Sequence, residues 1–158
     1  MKHNLNKKVC LIANGGGHLE ELKQLDDVWK KYDCFYVVMK NKTTKTMRDK
    51  TYFIMENTKR NIILFYLKTL IISFQSMYIL LKENPDIIIS TGAGAAVPLC
   101  FLGKFLFKKK LIFIETFAKR NGPSKAGRAI YPIADLFIVQ WEELLQFYPN
   151  AIYGGGIF

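Results

Sequence analysis

Four short apolar runs, VCLIAN at 9–14, CFYVVM at 34–39, DIIIS at 86–90 and KLIFIE at 110–115, constrain this chain more than any other feature. Each is dense in Val, Ile, Leu or Phe, and none alternates apolar with polar residues. Strands of that kind bury both faces, which requires a parallel sheet with helices packed on each side. Weaker runs at 52–55, 136–139 and 151–153 predict three further strands. Between the strands the pattern turns helical over 19–31, 61–81, 95–107, 124–131 and 141–147. Repeated strand–helix units build a doubly wound, Rossmann-like α/β domain. With 158 residues and no interior linker, repeat or low-complexity tract, 1–158 is expected to form a single domain.

Charge narrows the partners. The chain carries 23 Lys+Arg against 13 Asp+Glu, a formal net charge of +10, which points to an anionic partner such as a phosphate, a membrane surface or nucleic acid. Its aromatic residues fall on core-like spacings, so nucleic acid is not expected. Cys10, Cys34 and Cys100 cannot all pair and none lies in a CxxC, which reads as reduced thiols in the cytoplasm. Only His3 accompanies His18, so no metal site is expected.

The segment 61–81 (NIILFYLKTLIISFQSMYILL) is the one stretch that invites a membrane reading. Lys68 interrupts it, and the charge-free remainder of 69–81 falls short of the roughly 20 residues a spanning helix needs, so a transmembrane helix is not predicted. On a helical wheel one half is filled by residues such as Ile63, Leu67, Leu70, Phe74 and Leu81, and this half is expected to pack on the sheet. A second stripe of Phe65, Ile72 and Ile79, with Lys68 beside it, is left for a bilayer interface, a docking partner or another part of the same chain.

In doubly wound sheets ligands bind beyond the carboxyl ends of the strands, where strand order reverses. For an order of 3-2-1-4-5 that point lies between the first and fourth strands. The loops arriving there are Asn14-Gly15-Gly16-Gly17-His18 and Ser90-Thr91-Gly92-Ala93-Gly94. Small residues at two helix starts let backbone N–H groups approach an anion, so Gly15, Gly16, Gly17, Thr91, Gly92, Ala93 and Gly94 form a candidate phosphate or pyrophosphate cradle, against the alternative of plain turn chemistry. The first loop lacks the third glycine of GxGxxG, whose place is taken by Glu20, and there is no GxxxxGK[ST]. NAD enzymes and ordinary P-loop NTPases are therefore disfavoured. His18 is placed to act as a general base on a sugar hydroxyl or to bond a phosphate, the alternative being a capping or packing histidine. Glu115 closes the fifth strand at the same edge, to hold or activate a hydroxyl or to serve as a structural carboxylate. The basic run 40–50 (KNKTTKTMRDK) reads as a solvated loop or as a clamp for acidic head groups.

GGGHLEEL (15–22), STGAGAAVP (90–98), IFIETFAKRNGPSKAGRAIYPIADLFIVQWEE (112–143) and YPNAIYGGGIF (148–158) together resemble the CpsF/PssD family of capsule and exopolysaccharide biosynthesis. That family is similar to the membrane-anchoring, acceptor-side subunit of the eukaryotic enzyme adding the second GlcNAc of the dolichol-linked oligosaccharide. The resemblance implies the N-terminal half of a GT-B glycosyltransferase, with the UDP-sugar donor bound on a partner subunit and no cofactor in this chain. It also implies that Gly16, Gly17 and His18 face an undecaprenyl-pyrophosphate-linked acceptor, with Thr91 to Gly94 completing the cradle, and that transfer is inverting. Peripheral attachment to the inner face of the plasma membrane, through the 61–81 helix and basic loops, is expected in place of the N-terminal membrane helix of the eukaryotic members. The alternatives are a non-catalytic scaffold that recruits and stabilises the transferase subunit, and a self-sufficient nucleotide-binding enzyme.

Overall fold

The computed structural model describes residues 7–40, 50–57, 61–92 and 94–157. Seven strands, β1 (Lys8–Ala13), β2 (Asp33–Met39), β3 (Thr51–Ile54), β4 (Ile87–Ser90), β5 (Lys110–Ile114), β6 (Leu136–Val139) and β7 (Ile152–Tyr153), form one sheet in the order β3-β2-β1-β4-β5-β6-β7. Every pairing is parallel. The reversal between β1 and β4 is therefore real, and it falls where the sequence places it.

Alternate residues of β1 feed two cores. Cys10 and Ile12 join Phe35, Val37, Ile88, Leu111 and Phe113 on one side, while Val9, Leu11 and Ala13 join Tyr36, Val38, Ile89 and Ile114 on the other. This is the physical content of a strand apolar at every position. The first side is covered by α3 (Ile62–Glu83), α4 (Ala96–Phe101) and α5 (Lys125–Ile130), the second by α1 (Gly17–Gln24) and α2 (Asp26–Trp29). The helix expected over 19–31 is thus two helices. They part at Leu25, and the Trp29 indole N–H donates to the Leu22 carbonyl across the break, at 2.7 Å. The helix expected over 95–107 is α4 followed by one wider turn, Leu102–Leu106. There Gly103 lies so close to β4 that a Cβ would come within 2.1 Å of Ile88 Cδ1. The three cysteines are free thiols, Cys10 and Cys100 fully buried.

One expectation is reversed. α3 runs unbroken through Lys68 for 22 residues, long and apolar enough to match a membrane span. Its buried residues are Ile72, Ser76, Ile79, Leu80 and Glu83, so Ile72 and Ile79 are core and not an outward stripe. Phe65 and Lys68 are half-buried at its margin. The half expected against the sheet points outward instead, with Ile63 and Phe74 each 68% exposed. Polar bonds set this rotation. Glu83 binds Lys50 at 2.7 Å and Lys8 at 2.8 Å and also accepts from Tyr52. Gln75 accepts from the Met55 N–H at 2.9 Å, and Asn57 donates to Thr69 at 2.8 Å. Asn61 caps the helix by accepting from Ile63 and Leu64 N–H groups.

Candidate functional site

The loops after β1 and β4 are stapled to each other. Thr91 Oγ1 donates to the His18 carbonyl at 2.7 Å, and His18 Nδ1 lies 2.9 Å from the Thr91 carbonyl. A carbonyl can only accept, so Nδ1 carries a proton, and in the neutral imidazole Nε2 is then the accepting nitrogen. Gly92, at φ +110°, is where the imidazole passes: a Cβ would sit 3.4 Å from the ring. Gly16, at φ +82°, turns the chain into α1, and its carbonyl accepts from Leu19 and Glu20 N–H groups. Gly16 and Gly17 are exposed, with open space where a Cβ would stand, and Gly15 is half-buried behind them. Thr91 is fully buried and engaged in the staple. Ala93, and residues 41–49 of the basic run, lie outside the described residues.

His18 and Gly94 open onto a cavity of about 530 Å³ whose other wall is the segment from Thr116 to Arg128. That wall carries Lys119, Lys125 and Arg128, none of which makes an ion pair among the described residues. The three cations were not singled out from the sequence. The available signal was four basic residues and no acid between 116 and 128, in the loop adjoining the switch point. The fourth, Arg120, turns away: it binds Glu143 at 2.8 and 2.9 Å and stacks on Trp141 at 4.7 Å.

A second overlooked residue stands behind the histidine. Glu21 is 2% exposed. Its Oε1 accepts from Thr116 Oγ1 and the Phe117 N–H, both at 2.9 Å. Its Oε2 has no hydrogen-bond partner among the described residues and lies 3.9 Å from His18 Nδ1. Burial pushes this carboxyl up, against the opposing pull of the Phe117, Thr116 and His18 groups. Spacing i, i+3 on α1 puts Glu21 beneath the imidazole.

Glu115 does not reach the cavity. It is fully buried, with Oε1 accepting from the Thr116 N–H at 3.1 Å. Oε2 accepts from the Ser124 N–H at 3.2 Å and the Tyr148 hydroxyl at 2.8 Å. Burial first, and then the Glu115 charge, push the Tyr148 phenol well up. Of the two readings of Glu115, the structure agrees with the structural carboxylate and corrects the contact with a substrate hydroxyl: both oxygens accept hydrogen bonds from within the protein, and the carboxylate shapes the 116–124 loop from below. Among the described residues no group of three or more His, Cys, Asp or Glu is arranged to hold a metal ion.

Comparison with known proteins places this chain in a family. Residues 9–157 match the profile described as "Oligosaccharide biosynthesis protein Alg14 like". The human UDP-N-acetylglucosamine transferase subunit ALG14 is 24% identical over 177 aligned positions, covering 94% of this chain and 82% of that protein. The Candida albicans subunit of the same name is 40% identical over 82 residues, 48% of this chain and 37% of that one. The Schizosaccharomyces pombe subunit is also 40% identical, over 75 residues, 45% of this chain and 36% of that one. Among solved structures, Acinetobacter baumannii MurG superposes with a TM-score of 0.71 at 16% identity, over 87% of this chain and 42% of that one. The Neisseria meningitidis UDP-GlcNAc 2-epimerase superposes at 0.69 and 12% identity, over 95% of this chain and 47% of that one. These likenesses show the fold. The chain spans well under half the length of the fungal relatives it matches, and under half of both solved structures.

Proposed function

The chain belongs to the Alg14-like family of oligosaccharide biosynthesis proteins, and from that premise we propose that it is the acceptor-binding subunit of a two-chain UDP-sugar-dependent glycosyltransferase. Its partner subunit carries the nucleotide sugar. The acceptor is a saccharide on a polyprenyl pyrophosphate, undecaprenyl in a capsular or exopolysaccharide pathway of the CpsF/PssD kind, at the inner face of the plasma membrane. One observation carries this reading: at the switch point His18 shares a cavity of about 530 Å³ with Lys119, Lys125 and Arg128, three cations that make no ion pair among the described residues.

The chemistry follows from those groups. Lys119, Lys125 and Arg128 hold the acceptor diphosphate, since charge-assisted bonds to phosphate oxygens are the strong ones. Two of these are flexible point charges and one is a planar fork, a set that suits a diphosphate better than the exposed glycine turn alone. His18 Nε2 takes the proton from the acceptor hydroxyl. The hydroxyl oxygen bonds to the anomeric carbon from the face opposite the departing group, the bond from that carbon to the UDP oxygen breaks, and UDP leaves with the electron pair. Inversion at the sugar follows from this single displacement. The staple to Thr91 keeps the imidazole in the tautomer that can accept.

Reconstitution with the partner subunit tests the proposal. His18→Ala is expected to lower kcat at least a hundredfold, within the usual range for a general base, with assembly intact by size-exclusion chromatography. Lys119→Ala with Arg128→Ala is expected to raise the acceptor KM about tenfold or more, with little change in the KM for the UDP-sugar. Unchanged turnover in His18→Ala removes the histidine from the mechanism. Full activity from the partner alone, at saturating acceptor in detergent, replaces this reading with the non-catalytic scaffold.

A further inference from the structure

A second cavity opens at the carboxyl edge, over β5, β6 and β7. It measures about 540 Å³ and is lined by Arg120, Trp141, Glu142, Glu143 and Tyr153, a size that suits a small ligand. Trp141 is its fixed floor. The indole N–H donates to the Phe117 carbonyl at 2.7 Å, the Phe117 ring lies 4.6 Å away, and the side chain packs on the core. Arg120 lies over the indole at 4.7 Å, held there by its two bonds to Glu143. Tyr153 is in register with Val139, which faces the same core as Trp141, so its ring projects to that side of the sheet. The Gly154 N–H donates to the Val139 carbonyl at 3.0 Å and keeps it there. Tyr153 is 51% exposed, and its hydroxyl has no hydrogen-bond partner among the described residues. Glu142 makes no ion pair among them.

We propose that this cavity is a saccharide subsite, taking a neutral sugar ring of the glycan whose reacting hydroxyl lies at His18. A pyranose carries C–H bonds on its faces and hydroxyls round its rim. The exposed Tyr153 ring offers an apolar surface for the face, and the carboxylates accept from the hydroxyls in strong charge-assisted bonds. Arg120 supplies N–H donors to the sugar oxygens. Charge disfavours the other classes of guest. Two carboxylates against one guanidinium repel a phosphate, and that guanidinium already lies on the Trp141 face a cationic ligand would take. A hydrocarbon tail would strip water from all three charges. Position ties the site to the glycan. A third cavity, of about 360 Å³ along residues 118–123, shares Lys119 with the His18 cavity and Arg120 with this one. These two residues are adjacent, their Cα atoms about 3.8 Å apart, so a single loop divides a cationic hollow from an aromatic and acidic one. Arg120 turns away from the neighbouring cations because it belongs to the second hollow. That the ring is part of the acceptor rests on the proposed function; that the cavity takes a sugar does not.

Titration of the isotope-labelled full chain with glucose, galactose and N-acetylglucosamine, followed by NMR, tests the binding. The Trp141 indole N–H resonance is expected to shift saturably with at least one sugar, with a dissociation constant of about 1–30 mM for a single ring on an open site. The Trp29 indole, in the core on the other side of the sheet, is expected to stay in place. Tyr153→Ser and Glu142→Gln alter only exposed positions; both are expected to fold by circular dichroism and to weaken binding about fivefold or more. Tyr153→Phe keeps the ring and is expected to bind within about twofold of wild type. This readout needs neither the partner subunit nor turnover, so its failure is separate from failure of the proposed function. No shift with any of these sugars overturns the proposal, as does a shift that Tyr153→Ser leaves unchanged. A shift with tetramethylammonium or inorganic phosphate in place of the sugars overturns it in favour of a charged ligand. In the reconstituted pair Tyr153→Ser is expected to raise the acceptor KM about threefold or more, with the KM for the UDP-sugar unchanged. A rise in the UDP-sugar KM alone, or in neither, overturns the assignment of the ring to the acceptor.

Discussion

Replacing Glu21 by Gln isolates what the buried carboxylate does for His18. The substitution keeps the size of the side chain and keeps an oxygen to accept from Thr116 and Phe117, but removes the charge 3.9 Å from Nδ1. In the proposed mechanism His18 takes the hydroxyl proton and becomes an imidazolium. A carboxylate at that distance stabilises it by about 4 kcal/mol at an effective dielectric of about 20. His18 is 27% exposed, and Lys119, Lys125 and Arg128 share the cavity, so solvent and like charge leave about 1–3 kcal/mol of that. The expected result is a fall in kcat of about ten- to hundredfold, with the acceptor KM changed less than about twofold, because the charge acts only once the proton has moved. Thr116→Val is the control. It deletes one hydrogen bond to Glu21 and leaves the charge, and it should cost only a few-fold. The assay is single-turnover transfer in the reconstituted pair, with the melting temperature of each variant recorded beside it. A Glu21→Gln enzyme that folds normally and turns over within about twofold of wild type would refute the electrostatic role and leave Glu21 as a tie between α1 and the 116–117 turn.

Gly127→Ala is expected to destabilise the chain by about 2–4 kcal/mol in urea unfolding. The new Cβ would stand 2.1 Å from Glu115 Oε2 and 2.5 Å from the Tyr148 hydroxyl, and breaking that buried pair outweighs the ~1 kcal/mol that alanine gains over glycine in a helix. Glu83 gives a pH dependence: burial alone would raise its carboxyl, but hydrogen bonds from Lys50, Lys8 and Tyr52 hold it down at about 2. A depressed acid contributes stability above its unfolded value of about 4.5 and loses it as pH falls toward 2, so Glu83→Gln should cost about 1–3 kcal/mol at pH 7 and converge with wild type near pH 2. Ser76→Ala should raise stability by about 1 kcal/mol, since the fully buried Ser76 hydroxyl has no hydrogen-bond partner among the described residues and alanine is the better helix former.

The sheet was legible because its strands are buried on two sides, and nothing but a parallel α/β layer satisfies such runs. The switch point followed from strand order, and the His18–Thr91 staple confirms that two loops 73 residues apart meet there. What could not be read was set by partners distant in sequence. Glu20 and Glu21 are adjacent and look alike, yet Glu20 pairs with Lys23 in solvent while Glu21 is buried under the imidazole. Nothing local separates them except the i, i+3 spacing to His18. Glu115 could be read either way, because a carboxylate ending a strand at the binding edge can face substrate or its own loop; the space left by Gly127 and the hydroxyl of Tyr148 hold it inside. Gly103 marks no turn from its neighbours alone. Its role is the close approach to Ile88.

The rotation of α3 shows which force decides when two disagree. Hydrophobicity alone turns the broader apolar half toward the sheet, and that is how the sequence reads. Turning the helix half a revolution to achieve this would strip Glu83 of its two lysines, Gln75 of the Met55 N–H and Thr69 of Asn57. A buried carboxylate without its partners costs several kcal/mol, and each orphaned polar group adds about 1–3 kcal/mol. The inner side meanwhile needs little apolar area, because Thr69, Ser73 and Ser76 are small enough to let the helix lie close. Specific polar bonds thus fix the orientation, and the apolar half is left facing outward along its whole length.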